Sequence, residues 1–328
     1  MDVLRRRLLG RRAAYTVDDK VVLVTGALTE VGRRLAAELV GRGARVALVD
    51  SAADGSGERL SGEINGQTGL EATVYIRTDL RSQHDVRLMV EMAVLTFGRL
   101  DVLVNNAEQH AGELAGEEDA QRIGDSIDIN LRAPIVATWV FSRYLAQSGN
   151  EGVAVNVTAA AGLLPGRGRE VYGAANAGLI HFTEASRALA PALRVCALAP
   201  YYVAPPHSGR PRVLPGQRLG SPLLAVSSDQ VARAVVRCIE DTRLAGRTVV
   251  VAGDSAYASR LSYLLSLAHM LVIMACSVLV LAAQRIAGVL RAEPGAYSEP
   301  ATPDDVRDEP ASGTTDEPPA TSNAKKST

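Results

Sequence analysis

The chain has 328 residues, 35 basic against 36 acidic groups, and 47% hydrophobic residues. That length fits one large α/β domain with appendages or two small domains, while near-neutral charge and 4% aromatic residues argue against a nucleic-acid binder. Cys196, Cys238 and Cys276 form no CxxC pair and five scattered histidines form no HExxH, so neither a disulfide scaffold nor a metal site is expected.

In chain order, residues 1–17 form a basic arm carrying Arg5, Arg6, Arg7, Arg11 and Arg12 against Asp2. The arm lacks the apolar core of a secretory signal. An arm lying near anionic headgroups is the preferred reading. An organellar presequence is the alternative, weakened by Asp2 and the absence of Ser. Residues 18–256 alternate short β-branched runs with amphipathic stretches. Strands are predicted at 21–24, 45–50, 72–77, 101–105, 153–157, 194–199 and 248–251, with helix-length patterns between them, such as 31–41, 86–97 and 229–239. Mostly apolar strands alternating with helices predict an α/β doubly wound parallel sheet of seven strands with right-handed crossovers.

Residues 261–283 contain no Asp, Glu, Lys or Arg. A helix of that length reaches about 34 Å, enough to span a bilayer core, so a transmembrane anchor is expected. Ser262, Ser266, His269 and Ser277 leave open a buried oligomer-forming or interfacial helix. Arg260 and Arg285 bracket the segment, so the positive-inside rule does not orient it. Residues 292–328 carry eight acids, three bases and six prolines, the composition of a disordered acidic tail.

The first predicted strand runs into Thr25-Gly26-Ala27-Leu28-Thr29-Glu30-Val31-Gly32, followed by a helix. A tight Gly turn feeding a helix N-terminus offers free N–H groups to a phosphate. Asp50 ends the second strand, 24 positions after Gly26. An acid there accepts from ribose hydroxyls and repels a 2′-phosphate, which favours NAD over NADP.

Here the sequence resembles the short-chain dehydrogenase/reductase family, over residues 18–256. Residues 25–32 resemble its TGxxxGxG cofactor loop, with Gly26 and Gly32 retained. Thr78-Asp79-Leu80 resembles the segment whose Asp meets adenine. Asn105-Asn106-Ala107-Glu108 resembles the NNAG strand end, and Asn130 matches the active-site Asn. Tyr172-Gly173-Ala174-Ala175-Asn176 stands where the family carries YxxxK. The resemblance implies a Rossmann-type fold, a dinucleotide held by Gly26, Gly32, Asp50, Asp79 and Asn106, and a carbonyl or hydroxyl substrate.

Several positions depart from the family pattern. Glu30 replaces the central Gly of the loop, adding bulk and like charge beside a pyrophosphate. Turning it to solvent would preserve binding, and Arg33 and Arg34 could partly compensate. Glu108 replaces the last Gly of NNAG, and Pro200-Tyr201 stands for Pro-Gly. Family chemistry needs a Tyr hydroxyl as acid or base, a Lys that lowers its pKa, and a Ser that binds the substrate oxygen. Tyr172 is present; the Lys position is Asn176 and the Ser position is Ala159, both degenerate. A neutral amide cannot lower a phenol pKa through charge, and a methyl group offers no hydrogen bond. Thr158, through a bulge, and Arg167 or Arg169 are the candidates for rescue. Tyr172 and Asn130 could equally persist as packing residues. Residues 201–226, with Arg210, Arg212 and Arg218 and no acid, form either a basic lid over an anionic ligand or a solvated loop.

Two functions are therefore expected to compete. One is a membrane-anchored, catalytically weakened protein acting as a nucleotide-binding or interaction module. The other is an active NAD-dependent dehydrogenase with a non-standard site. Membrane lipid and a second copy of the chain are the further expected partners; nucleic acid is not.

Overall fold

The computed structural model describes residues 15–110, 120–165, 168–203 and 225–252. The basic arm up to residue 14, Arg167, the arginines of residues 204–224, the apolar segment 261–283 and the acidic tail lie outside the described residues. Among the described residues, no helix is long and apolar enough to cross a membrane.

Seven parallel strands form one sheet: β1 (Val21–Thr25), β2 (Arg45–Asp50), β3 (Thr73–Arg77), β4 (Val102–Asn105), β5 (Gly152–Val157), β6 (Leu193–Pro200) and, last in the chain, β9 (Thr248–Val251). Their order is β3-β2-β1-β4-β5-β6-β9. β2 and β9 match the sequence expectation, and the other five differ by one residue at one or both ends. A separate two-residue parallel pair, β7 (Tyr202–Val203) with β8 (Ala225–Val226), lies outside the predicted strands.

Continuous Val, Leu and Ala runs make the strands because both sheet faces are covered. In β1, Val22 and Val24 face one apolar layer, with Leu35 and Leu39 of α1 (Glu30–Gly41), Leu60 and Ile64 of α2 (Ser56–Thr68), and Val231 and Val235 of α7 (Ser228–Glu240). Val21 and Leu23 face the other, with Met89 of α3 (Gln83–Phe97) and Phe141 and Leu145 of α5 (Ala133–Ser148). The period of two within the strand thus assigns helices to opposite faces.

Side-chain caps set several helix starts. Thr29, Ser82 and Ser227 each accept a backbone N–H of the following turn, and Gln230 completes a capping box with Ser227. Helix α2 escapes the sequence pattern because Gly57, Gly62 and Gly66 interrupt it. Its inner face adds polar contacts to the buried Leu60 and Ile64: Ser61 and Asn65 both hydrogen-bond Thr73 of β3.

Two further elements place the site. Helix α4 (Ala120–Ile127) passes without a break into a π-helical turn at Asp128–Arg132 and then into α5. Helix α6 (Glu170–Ala185) is tied to the sheet by buried polar groups. Asn105 Nδ2 donates to Asn156 Oδ1 at 2.8 Å, and Asn156 Nδ2 donates to Thr183 Oγ1 at 2.9 Å. The relay thereby fixes α6 against β4 and β5. Replacing Asn156 with Ala leaves the Asn105 amide buried without its acceptor. We expect a loss of about 1–3 kcal/mol, read in the full chain as a lower urea midpoint at unchanged m-value.

Candidate active site

The strand order reverses between β1 and β4, and the crevice outside their carboxyl ends is where doubly wound sheets bind ligands. The loop after β1 turns at Gly26, whose φ is +65°. A Cβ there would stand 2.7 Å from Ala107 Cα, and one on Gly32 would collide with the Gly26 carbonyl oxygen. Glycine is therefore required at Gly26 by its positive φ and the closeness of the loop after β4, and at Gly32 by the tight approach of α1 to the turn.

Thr29 and Asn106 hold the loop. Thr29 Oγ1 donates to the Gly26 carbonyl at 2.8 Å and accepts from Gly32 N–H at 3.1 Å. Asn106 Nδ2 donates to the carbonyls of Thr25 and Gly26, each at 3.1 Å. Among the described residues, the N–H groups of Glu30 and Val31 meet no protein acceptor, as expected in the first turn of a helix. Glu30 does not cover them: its carboxylate lies back along α1, 3.0 Å from Arg34 Nε, and Asp229 stands 3.5 Å from the same atom. Arg33 instead donates to the Leu28 carbonyl. An acid in the first turn also suits the helix dipole. The cradle of two obligate glycines and unpaired N–H groups fits a dinucleotide pyrophosphate.

Asp50 sits at the end of β2 with both oxygens fixed, Oδ2 accepting from Leu28 N–H at 3.0 Å and Oδ1 from Ser51 N–H at 2.8 Å. Its remaining lone pairs suit ribose hydroxyls. Asp79 is engaged by Arg81 in a bidentate pair, at 3.0 and 2.9 Å, which holds its carboxyl below the usual range. Arg81 also reaches Asp125 at 3.1 Å.

On the catalytic side, the π-turn places Asn130 inward, buried. Its Oδ1 accepts from Gln109 N–H at 3.0 Å and its Nδ2 donates to the carbonyls of Gln109 and Ser126. Asn130 thus pins the loop after β4. Ala159 follows β5, partly exposed, with no polar atom in its side chain. Thr158 does not replace the missing hydroxyl: it is buried and donates to the Leu198 carbonyl at 3.0 Å, toward β6. Tyr201 occupies the position after Pro200, its N–H bonded to Val251 at 2.9 Å.

Tyr172 and Asn176 lie one turn apart in α6, 6% and 3% exposed. Asn176 Nδ2 donates to the Tyr172 carbonyl at 2.9 Å. The Tyr172 hydroxyl donates to Glu108 Oε2 at 2.8 Å, across 64 positions of sequence. The His110 ring stacks on the Tyr172 ring, with centroids 4.1 Å apart. Burial first, and then the Glu108 charge and hydrogen bond, push the phenol well above its ordinary pKa; Arg169 and Asn176 pull the other way without cancelling this. The contact follows from a residue the sequence displays, Glu108 in place of Gly, but the pairing with Tyr172 has no local signal.

The sequence profile described as short chain dehydrogenase matches residues 20–212. The chain belongs to the short-chain dehydrogenase family. Members bind NAD(P), so dinucleotide binding and a carbonyl or hydroxyl substrate are consistent with this family member. It is 35% identical over 194 residues to human (Homo sapiens) 15-hydroxyprostaglandin dehydrogenase [NAD(+)], covering 57% of this chain and 69% of the relative. It is 30% identical over 240 residues to the short chain dehydrogenase helC of Aspergillus fumigatus, covering 69% of this chain and 93% of the relative. The crystal structure of NAD+-bound xylitol dehydrogenase superposes with a TM-score of 0.62 at 25% identity, covering 73% of this chain and 99% of that one. A short chain dehydrogenase from Mycobacterium smegmatis gives 0.62 at 24% identity, covering 73% and 94%, a likeness of fold.

In this short-chain dehydrogenase the loop brace is directly testable. Thr29→Ala removes the cap of α1 and the bond to the Gly26 carbonyl. We expect about 1 kcal/mol of lost stability, measured by urea unfolding, with no change in secondary-structure content by circular dichroism.

Proposed function

We propose that this short-chain dehydrogenase binds NAD in preference to NADP and that its hydride transfer is severely slowed, leaving a nucleotide-binding or interaction module. The observation that carries the second half is the Tyr172–Glu108 hydrogen bond, beside an Asn176 that has no charge to offer. Bound NAD would accept a hydride from a hydroxyl-bearing carbon, or NADH would return one to a carbonyl.

The residues account for both parts. Gly26, Gly32 and Asn106 shape the pyrophosphate cradle, and Asp50 presents a fixed carboxylate where NADP would place a phosphate. Glu30, drawn toward Arg34, leaves that cradle open. Asp79 is the position assigned to adenine, and Arg81 competes for it. At the reacting end, Ala159 gives the substrate oxygen no donor, a deficit of about 10²–10³ in rate. With Asn176 in place of the lysine, and with Arg169 not offsetting burial and the Glu108 charge, Tyr172 is a poor acid–base, which costs about 10²–10⁴. Such losses do not simply multiply; a combined deficit of at least about 10⁴ is expected. Relatives named as NAD(+) dehydrogenases support the cofactor preference.

Calorimetry on the full chain tests the cofactor. NAD should bind at least about tenfold tighter than NADP, or about 1.4 kcal/mol, and Asp50→Ala should narrow the gap. Tighter NADP binding overturns the preference. Turnover of simple secondary alcohols with NAD should fall far below ordinary rates; a turnover number of about 1–10³ s⁻¹ would restore the active-enzyme reading.

We further propose that residues 261–283 anchor the domain to a membrane, on the strength of a 23-residue run without formal charge. The full chain should stay with membranes through a carbonate wash, whereas a chain ending near residue 256 should not. Release of the full chain by carbonate removes the spanning helix from consideration.

A further inference from the structure

The loop after β4 carries Glu108 into the crevice, where it takes the one proton of the Tyr172 hydroxyl as a hydrogen bond of 2.8 Å. A phenol has a single O–H, so a proton held by Glu108 is not directed at a substrate oxygen. Among the described residues, no arginine, lysine or histidine forms a salt bridge with Glu108. The loop is itself restrained: Gln109 is bonded through both its N–H and its carbonyl to Asn130, and His110 stacks on the Tyr172 ring. The carboxylate is therefore held where it is by its neighbours on both sides of the chain.

We propose that Glu108 is a positioning residue that locks Tyr172 in its protonated form and aims its proton into the protein, so that loss of activity has a third determinant besides Ala159 and Asn176. The proposal rests on the reading that the standard acid–base chemistry is disabled, and adds which group disables it. Restoring a serine and a lysine would then be insufficient. An ammonium at position 176 would work against a carboxylate already bonded to the hydroxyl, and the serine would meet a substrate with no proton donor turned toward it.

Among the described residues, the charged and titratable groups that face Tyr172 are few. Glu108 and His110 come from the loop after β4, and Arg169 precedes α6. The π-turn packed against α6 contributes the neutral, buried Asn130, already bonded to Gln109 and Ser126. Glu108→Gln keeps an oxygen acceptor of the same reach and removes the negative charge. It therefore separates the charge from the hydrogen bond as a structural tie.

Two measurements on the full chain decide the matter. The first is tyrosinate absorbance against pH, with Tyr172 isolated by subtracting the matching Tyr172→Phe protein. Removing the charge should move the Tyr172 titration of Glu108→Gln to lower pH than in the unmodified protein. An unchanged titration overturns the proposal, and this arm needs neither cofactor nor turnover. The second is NAD-dependent alcohol oxidation by A159S/N176K and by A159S/N176K/E108G. We expect at least tenfold higher turnover in the triple variant, with a pH profile displaced to lower pH than that of A159S/N176K. Equal turnover in the two variants overturns the proposal. If neither variant turns over while calorimetry shows NAD bound, the tyrosinate titration alone decides. If NAD fails to bind, the cofactor reading falls while the titration still tests Glu108.

Discussion

Asn105, Asn156 and Thr183 form a buried relay across β4, β5 and α6, and the site depends on it. Parallel strands bring their carboxyl ends to one edge but do not by themselves fix how far a covering helix is turned. A helix seated only on Val and Leu can settle in more than one rotation. The two amides remove that freedom, because a buried donor without its acceptor costs about 1–3 kcal/mol. With α6 fixed against the end of β4, Tyr172 and Glu108 are brought within hydrogen-bond distance despite their separation in sequence.

The same edge shows how charge sorts the two halves of the crevice. On the cofactor side, carboxylates are compatible with ligand because each is turned or tied: Glu30 to Arg34, Asp50 to two backbone N–H groups, Asp79 to Arg81. On the catalytic side, Glu108 has only the Tyr172 hydroxyl as a side-chain partner among the described residues. A negative charge balanced by donors leaves neighbouring groups near their ordinary behaviour, whereas one facing a buried phenol favours the uncharged phenol. The two halves differ in the partners of their acids more than in the number of acids.

Much of this was legible in the chain itself. Val- and Leu-rich runs between helix-length patterns gave the sheet, and β2 and β9 appear with the bounds the pattern implies. Helix α2 was not legible, because its glycines dilute the periodicity and its inner face mixes Leu60 and Ile64 with the polar Ser61 and Asn65. Gly26, Gly32 and Asp50 could be placed because their roles are local to one turn and one strand end. The engagement of Asp79 by Arg81, two residues away, is local enough to be encoded in the sequence. The fate of Thr158 depends on which face of the strand end it occupies; alternation turns it away from the Ala159 face, and its hydroxyl bonds the Leu198 carbonyl. The meeting of Glu108 with Tyr172 was of another kind. It requires the relative seating of two loops and a helix, which no pairwise spacing encodes.

The π-turn at Asp128–Arg132 has a consequence of its own for how this chain can change. A π-turn holds one residue more than the helix around it. Removing that residue would let α4 and α5 join as a regular helix, which is locally favourable. It would also rotate everything on one side of the deletion by about 100° relative to the other. Either Asn130 would leave Gln109, or Phe141 and Leu145 would leave the core. Insertions and deletions are thus closed to this helix, although single substitutions along its outer face remain open. The length of the segment is fixed more strictly than its composition, a constraint that acts on the reading frame of the fold.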